Sequence, residues 1–103
     1  MNAAFAALAD PTRRRMMETL RAGERSAGDI ERALGVPQPM ASKHLRALRQ
    51  AGLVRVRRDA QRRLYSLDPR PLAEVDAWLA PYRQFWNVRL DALEQHLDQE
   101  SPP

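Results

Sequence analysis

The chain has 103 residues, which is enough for one small domain with a single core and too few for two. Its 17 basic and 13 acidic residues give a net charge of +4, and the absence of cysteine excludes disulfides, thiolate metal sites and cysteine nucleophiles. Its apolar runs are too short to cross a bilayer, and residues 3–9 lack the basic start and the length of a signal peptide, so we expect a cytoplasmic protein without membrane contact.

The positive charge is concentrated in the middle of the chain. Residues 38–63 hold eight of the basic residues and a single acid, Asp59, whereas residues 71–103 hold six acids and only two arginines. A basic segment of this density is typical of a surface that binds a polyanion. The sequence therefore divides into a basic central part and an acidic last part.

Three short helices are predicted in the first third of the chain, where alanine and leucine favour helix over sheet. Asn2–Leu8 predicts the first of them. Asp10 followed by Pro11 predicts the start of the second, because a carboxylate caps a first helical turn and proline fits its first position. Ser26 with Asp29 three residues later resembles a capping box and predicts the start of the third.

A fourth helix follows after a short turn. Residues 36–39 predict the turn, and Ala41, Leu45 and Leu48 then recur on one helical face until Gly52 ends the helix. Two helices joined by a short turn that contains glycine and proline form the helix-turn-helix pattern.

A hairpin is predicted next, because the apolar period changes after residue 52 from that of a helix to that of a strand. Leu53–Arg58 and Arg62–Leu67 predict its two strands, and Asp59–Gln61 predicts its tip. A helix-turn-helix followed by an arginine-rich hairpin predicts a winged helix, which is a mainly α fold with a small β-hairpin.

Residues 71–97 predict a long C-terminal helix. Apolar residues recur there every three or four positions over about 40 Å, which is more than a small core covers. A second copy of the chain is the expected partner of that face, and its aromatic residues either pack the dimer or line an inducer pocket. Pro81 is expected to kink or break this helix. The predicted domain covers residues 1–98, and residues 99–103 form a frayed tail.

The fourth helix and the hairpin supply the expected DNA-binding residues. A helix fits the major groove of DNA and presents the side chains of its first turns to base edges. Gln38 suits a bidentate contact to adenine, Ser42 suits a base or a phosphate, and His44 suits helix packing or a phosphate contact. The expected DNA-binding residues are Gln38, Pro39, Ser42, Lys43, His44 and Arg46 on the helix and Arg57, Arg58, Arg62 and Arg63 on the hairpin.

Four segments, Ala9–Arg15, Gln38–Leu48, Ala51–Val54 and Arg62–Asp68, resemble the ArsR family of bacterial winged-helix repressors. The resemblance implies a homodimer that is held by its first and last helices, binds an inverted repeat in double-stranded DNA and blocks transcription. The dimer-interface residues expected on this basis are Phe5, Leu8, Leu79, Tyr82, Phe85, Trp86, Leu90, Leu93 and Leu97.

The sequence departs from the metal-sensing members of the ArsR family that it resembles. It has no cysteine, and Asp91, Glu94 and His96 on the last helix do not have the usual spacing of metal ligands. We therefore expect no metal and no cofactor. Pro81–Trp86 is similar to a branch of the family that is often paired with small ligand-binding proteins, so the releasing signal is left open between a small-molecule inducer and a partner protein.

Two other interpretations bear on function. An enzyme is not expected, because the sequence has two isolated histidines and lacks a glycine-rich phosphate loop and a paired-carboxylate site. A winged-helix module that binds protein or RNA is the alternative to an operator-binding protein. A module that binds protein predicts neither steep salt dependence nor a preference for an inverted repeat. Arg13–Arg15 is interpreted either as a phosphate contact or as a contact to the opposing subunit.

Overall fold

The computed structural model describes residues 2–100. Five helices and three short strands occupy this range. They are α1 (Asn2–Leu8), α2 (Pro11–Leu20), β1 (Arg25–Ser26), α3 (Ala27–Leu34), α4 (Gln38–Gln50), β2 (Val54–Asp59), β3 (Arg62–Leu67) and α5 (Leu72–Glu100). Within the same range, no helix combines the length and the hydrophobicity that a membrane crossing requires.

The predicted helix starts are confirmed. The Asp10 carboxylate accepts hydrogen bonds from the backbone N–H groups of Thr12 and Arg13 at 2.8 and 3.1 Å. The Ser26 hydroxyl accepts from the Asp29 N–H at 3.1 Å, and the Asp29 carboxylate accepts from the Ser26 N–H at 3.3 Å, which completes the capping box. Each cap satisfies N–H groups that the first helical turn leaves without an intrahelical partner.

The arginine run at the start of α2 is used within the chain. Arg13 and Arg14 donate to carbonyl groups at the end of α1, with a distance of 2.7 Å from Arg14 to the Leu8 carbonyl. Arg15 donates to the Leu34 carbonyl at the end of α3 at 3.4 Å. Cations at helix C-termini donate hydrogen bonds to free carbonyls and interact favourably with the partial negative charge that the helix dipole places there. These contacts use part of the donor capacity of each guanidinium group, and the phosphate and inter-subunit roles expected from the sequence stay predictions.

One core joins α2, α3 and α4 to the hairpin. Its most deeply buried side chains are Met16, Ile30, Leu45, Leu48 and Leu53. The inward face predicted for the fourth helix is confirmed, because Ala41, Leu45 and Leu48 are all buried. The side chain of Tyr65 joins the same core from β3.

The sheet has three antiparallel strands in the order β1-β3-β2. The sequence did not indicate β1, since two residues are too few to show an alternating pattern. The tip is one residue shorter than expected, because Asp59 pairs with Arg62 and only Ala60 and Gln61 remain in the loop. Ala60 has φ of 57°, the sign that a two-residue hairpin turn of primed type requires at its first position.

Of the two outcomes expected at Pro81, the break is wrong, whereas the kink stays a prediction. α5 runs as one helix from Leu72 to Glu100 with Pro81 inside it. Proline removes the N–H that the Ala77 carbonyl would have accepted. Both residues are exposed, so water can satisfy that carbonyl. Of the expected tail, residues 99 and 100 are helical and residues 101–103 lie outside the described range.

Asp68 fastens the base of the hairpin to the chain that leads into α5. Its carboxylate is buried and accepts hydrogen bonds from the Arg70 guanidinium at 2.7 and 2.9 Å and from Arg55 at 3.2 Å. The hydrogen bonds from Arg70 are the largest cause that holds the pKa of Asp68 far below its ordinary value. The ionised carboxylate therefore stabilises the folded state.

We expect Asp68→Asn to lower the melting temperature at pH 7 and to remove part of its pH dependence. Because the pKa of Asp68 is depressed on folding, its contribution is present above the unfolded-state pKa of about 3.9 and is lost as the pH falls below it. The difference in Tm between the wild type and the variant should thus narrow as the pH is lowered from about 5 toward 2. Asp76→Asn is the control, since Asp76 pairs with Arg83 but is 70% exposed. A constant difference in Tm for Asp68→Asn across this range would contradict the assignment.

Candidate nucleic-acid interface

The outer face of α4 is polar and exposed. Gln38, Pro39, Ser42, Lys43 and Arg46 all lie on this face, in contrast to the buried inner face of the same helix. The spacing that buries leucine toward the core directs these side chains to the opposite side. The structure thus brings five of the expected DNA-binding residues onto one surface.

A groove of about 460 Å³ lies between α4 and the hairpin. Its lining residues are Pro39, Ser42, Lys43, Leu45, Arg46, Arg49, Arg63 and Tyr65. Arg49 is a member that the sequence analysis missed. Its position, three residues after Arg46 and seven after Ser42, is the helical signal that would have identified it.

Gln38 and Ser42 are joined before any ligand arrives. The Gln38 side-chain amide donates to the Ser42 hydroxyl at 2.8 Å, and both side chains are exposed. One turn of helix separates the two residues, which places their side chains on the same face. The pair therefore presents the Gln38 carbonyl oxygen and the remaining amide hydrogen in a restricted orientation.

The strand register divides the hairpin arginines between two faces. Arg58 pairs with Arg63, and both share a face with Val56 and Tyr65, which pack toward the core and α4. Arg57 pairs with Leu64 on the opposite face. Adjacent arginines on each strand therefore point in opposite directions.

The arginines on the opposite face have acidic partners. Arg57 makes a bidentate contact with Glu24, at 2.7 and 2.8 Å. This hydrogen-bonded pair lowers the pKa of Glu24 and raises that of Arg57. Arg62 lies 4.0 Å from the Asp29 carboxylate, and Arg55 contacts Asp68.

Five cations around the groove lack such partners. In the part of the chain that the structure describes, no carboxylate forms an ion pair with Lys43, Arg46, Arg49, Arg58 or Arg63. Arg49 and Arg63 also line a second, smaller crevice together with Arg57 and Arg58, so the surface continues from α4 onto the wing. We call these five residues the basic face. Its charge is free to attract a polyanion.

His44 does not belong to this surface. It is 8% exposed, and its Nδ1 accepts a hydrogen bond from Arg13 Nε at 3.2 Å. The side chain packs on the inner side of α4, toward α2. The structure therefore supports the helix-packing interpretation of His44 and separates it from the expected DNA-binding residues.

The face of α5 expected at a dimer interface is largely exposed. An aromatic row runs from Phe5 of α1 through Trp78 and Tyr82 to Trp86, with ring centroids 5.6, 5.0 and 6.4 Å apart. Phe85, Leu90, Leu93 and Leu97 are more than half exposed, whereas Phe5, Leu8 and Leu79 are half-buried. Contiguous apolar exposure of this kind marks an interaction surface.

Among the described residues, no group of three or more histidines or carboxylates is close enough to hold a metal ion.

Comparison with known proteins places this geometry in a family. Residues 8–57 match the model of a helix-turn-helix domain. The HTH-type transcriptional regulator Rv2034 of Mycobacterium tuberculosis is 40% identical over 97 residues, which cover 94% of this chain and 88% of that protein. The transcriptional repressor SdpR of Bacillus subtilis is 37% identical over 79 residues, which cover 77% of this chain and 88% of the repressor.

Solved structures agree with these relatives. The crystal structure of the ArsR family transcriptional regulator RHA00566 has a TM-score of 0.73 at 30% identity, over 84% of this chain and 89% of that chain. The chain belongs to the ArsR family. Another structure similar to this ArsR-family chain, the homodimeric winged helix-turn-helix DNA-binding domain of Mb0332 from Mycobacterium bovis, has a TM-score of 0.66 at 30% identity and covers 81% of this chain and 77% of that chain.

Family membership confirms the class of fold and the class of function expected from the sequence. Like other ArsR proteins, the chain is a transcriptional regulator built on a DNA-binding helix-turn-helix fold. The wing and the long last helix of the winged-helix pattern are both present.

The placement of His44 predicts its effect in this ArsR-family chain. We expect His44→Ala to lower the free energy of unfolding by about 1–3 kcal/mol, because it removes a buried, hydrogen-bonded side chain and leaves Arg13 Nε without its acceptor. Ser42→Ala, on the exposed face of the same helix, should change it by about 0.5 kcal/mol or less. Urea unfolding of both variants measures the difference. Equal stabilities would mean that His44 is not packed as described.

Proposed function

We propose that the chain is a homodimeric repressor that binds an inverted-repeat operator, with α4 of each subunit in a major groove. The observation that carries this proposal is the basic face, in which cations without an ion pair among residues 2–100 continue from α4 onto the wing across one groove. A helix and an adjacent hairpin together match the major groove and the neighbouring phosphate backbone of B-form DNA. Its membership of a family of transcriptional regulators supports the same ligand.

Base recognition falls to the first turns of α4. Gln38 carries both an acceptor and a donor, which is the pattern that reads the N6 and N7 edge of adenine. Ser42 holds the Gln38 amide through the 2.8 Å hydrogen bond and so fixes which atoms face the groove. Pro39, at the start of the helix, contributes apolar contact area beside them.

Phosphate contact falls to the cations farther along α4. Lys43, Arg46 and Arg49 follow the base-reading turn at helical spacing and carry no ion pair among the described residues. Contacts of this kind set affinity and its salt dependence but not sequence preference.

The dimer rests on the exposed face of α5. A helix of 29 residues is about 43 Å long, and its far half extends beyond the core with leucines exposed. A second copy covers this face with an identical apolar stripe. The homodimeric Mb0332 domain supports this arrangement. Two α4 helices related by a twofold axis then meet half-sites that are about one helical turn, or 34–36 Å, apart.

The direct test is selection of bound fragments from genomic DNA, followed by titration of the enriched duplex. We expect an inverted repeat and an affinity that falls linearly with salt on a log–log scale. Gln38→Ala and Ser42→Ala should each relax preference at the same base pair, at a cost of about 1–3 kcal/mol, and the double variant should lose little more than either single one. Lys43→Ala should instead weaken binding to all duplexes alike.

Three results would contradict this function. If the selection enriches no duplex over bulk DNA, the proposal that the protein recognises an operator is wrong. Binding that is insensitive to salt would favour the alternative of a winged-helix module for another protein. RNA competing better than the selected duplex would favour the corresponding RNA-binding module.

For the dimer, we expect Leu93→Glu to convert the protein to a monomer at micromolar concentration. Leu93 lies 7 residues after Trp86 on the apolar stripe and is 53% exposed in the single chain. Val88→Glu is the matched control, because Val88 is 68% exposed but lies off that stripe. Sedimentation velocity measures both. If the wild-type protein sediments as a monomer at this concentration, the proposed dimer interface on α5 is wrong.

A further inference from the structure

The two hairpin strands provide a contrast that the proposed function does not use. Each strand carries two adjacent arginines, Arg57 and Arg58 on β2 and Arg62 and Arg63 on β3. Arg58 and Arg63 lie on the same face of the hairpin as Tyr65. Arg57 and Arg62 lie on the other face, where they meet the carboxylates of Glu24 and Asp29. Adjacent arginines on one strand therefore have different surroundings.

We infer that the wing contacts phosphate through Arg58 and Arg63, and that Glu24 is a positioning residue that holds the wing through Arg57. This inference rests on the proposed DNA-binding function and adds Glu24, which no sequence signal indicated, to the residues on which binding depends.

The Glu24–Arg57 contact crosses the sheet. Glu24 directly precedes β1 at one edge, whereas Arg57 lies on β2 at the other edge. Between them is β3, where Leu64 is the register partner of both Ser26 and Arg57 and is buried. The ion pair thus ties the two outer strands together over β3. It restrains the two-stranded part of the hairpin against twisting relative to the helices.

The geometry of this pair is better than that of an ordinary surface ion pair. Two of the guanidinium nitrogens of Arg57, Nη2 and Nε, donate to separate carboxylate oxygens of Glu24 at 2.7 and 2.8 Å. Such a parallel fork is directional and is the arrangement for which a partly exposed pair contributes measurably. The two other ion pairs of the hairpin, Arg62–Asp29 at 4.0 Å and Arg55–Asp68, lie on the same side.

DNA would gain little by taking Arg57 from its partner. Release of Arg57 would leave the Glu24 carboxylate uncompensated, and any movement of Arg57 toward phosphate would bring DNA toward that charge. Arg58 and Arg63 carry no such cost, because they have no acidic partner among the described residues. Arg63 lines the groove beside α4, and Arg58 lines the smaller crevice next to it. Arg57 also borders that crevice, but its guanidinium is held by Glu24. Phosphate contact on the wing is therefore made by Arg58 and Arg63.

The test compares neighbouring arginines on the full-length protein. Salt titrations on the selected duplex, between about 50 and 300 mM NaCl, give the slope of log K against log salt for the wild type and for Arg57→Gln, Arg58→Gln, Arg62→Gln and Arg63→Gln. Each lost phosphate contact lowers the slope by about 0.9, so a dimer should lose about 1.8 in Arg58→Gln and in Arg63→Gln. Arg57→Gln and Arg62→Gln should leave the slope unchanged.

Arg57→Gln should still weaken binding through the position of the wing, by about twofold to fivefold at each salt concentration. Glu24→Gln should weaken it equally, and the double variant should be no weaker than either single one. The charge exchange Glu24→Arg with Arg57→Glu should restore affinity with the wild-type slope. Circular dichroism and thermal melting confirm that each variant is folded.

The outcomes separate this inference from the proposed function. A wild-type protein without salt-dependent binding to any duplex would contradict the function itself. A normal wild-type slope that Arg57→Gln lowers as much as Arg58→Gln would overturn only the division of roles. Tighter binding and a steeper slope in Glu24→Gln, or a charge exchange that does not restore affinity, would likewise overturn it.

Discussion

The packing of α4 and the hairpin onto one shared core is the constraint on which the rest of the molecule depends. α4 buries Leu45 and Leu48, and the hairpin buries Val54 and Tyr65 in the same cluster. A helical period of 3.6 and a strand period of 2 then leave the outer face of α4 and one face of the hairpin tip beside each other. The groove between them is a consequence of how both elements reach the core. Buried leucine and tyrosine side chains, rather than the polar residues that line the groove, join the two elements.

The register of β2 and β3 also determines which basic residues have acidic partners. Eight basic residues lie within residues 38–63, yet that segment does not form one cationic surface. Three of its arginines meet Glu24, Asp29 and Asp68, which come from outside the segment, whereas the basic face keeps its five charges unpaired among the described residues. A charge count along the sequence therefore overstates the field available to a ligand. It also hides the acids that orient the hairpin.

Features that depend on neighbours in sequence were predictable, and features that depend on neighbours in space were not. The caps at Asp10 and Ser26 require only residues two or three positions away, and the inward stripe of α4 requires only its own spacing. The burial of His44 required knowing that Arg13, 31 residues earlier, lies opposite it. The Glu24–Arg57 pair spans 33 residues and exists only because β1 and β2 flank β3. The continuity of α5 through Pro81 was not predictable for a related reason, because the energetic cost of a proline inside a helix depends on whether water reaches the carbonyl that it leaves free.

In the proposed complex, two attachments outside the groove control how the groove meets DNA. The exposed face of α5 in the proposed dimer fixes where the second α4 lies, and thereby the spacing of half-sites, without touching a base. Glu24 in its proposed role fixes where the wing lies relative to its own α4, again without touching DNA. Changes at either place are then expected to alter affinity through geometry, and changes on the basic face to alter it through charge. Because only the second kind changes the dependence on salt, the salt slope distinguishes a residue that positions the site from one that contacts the ligand.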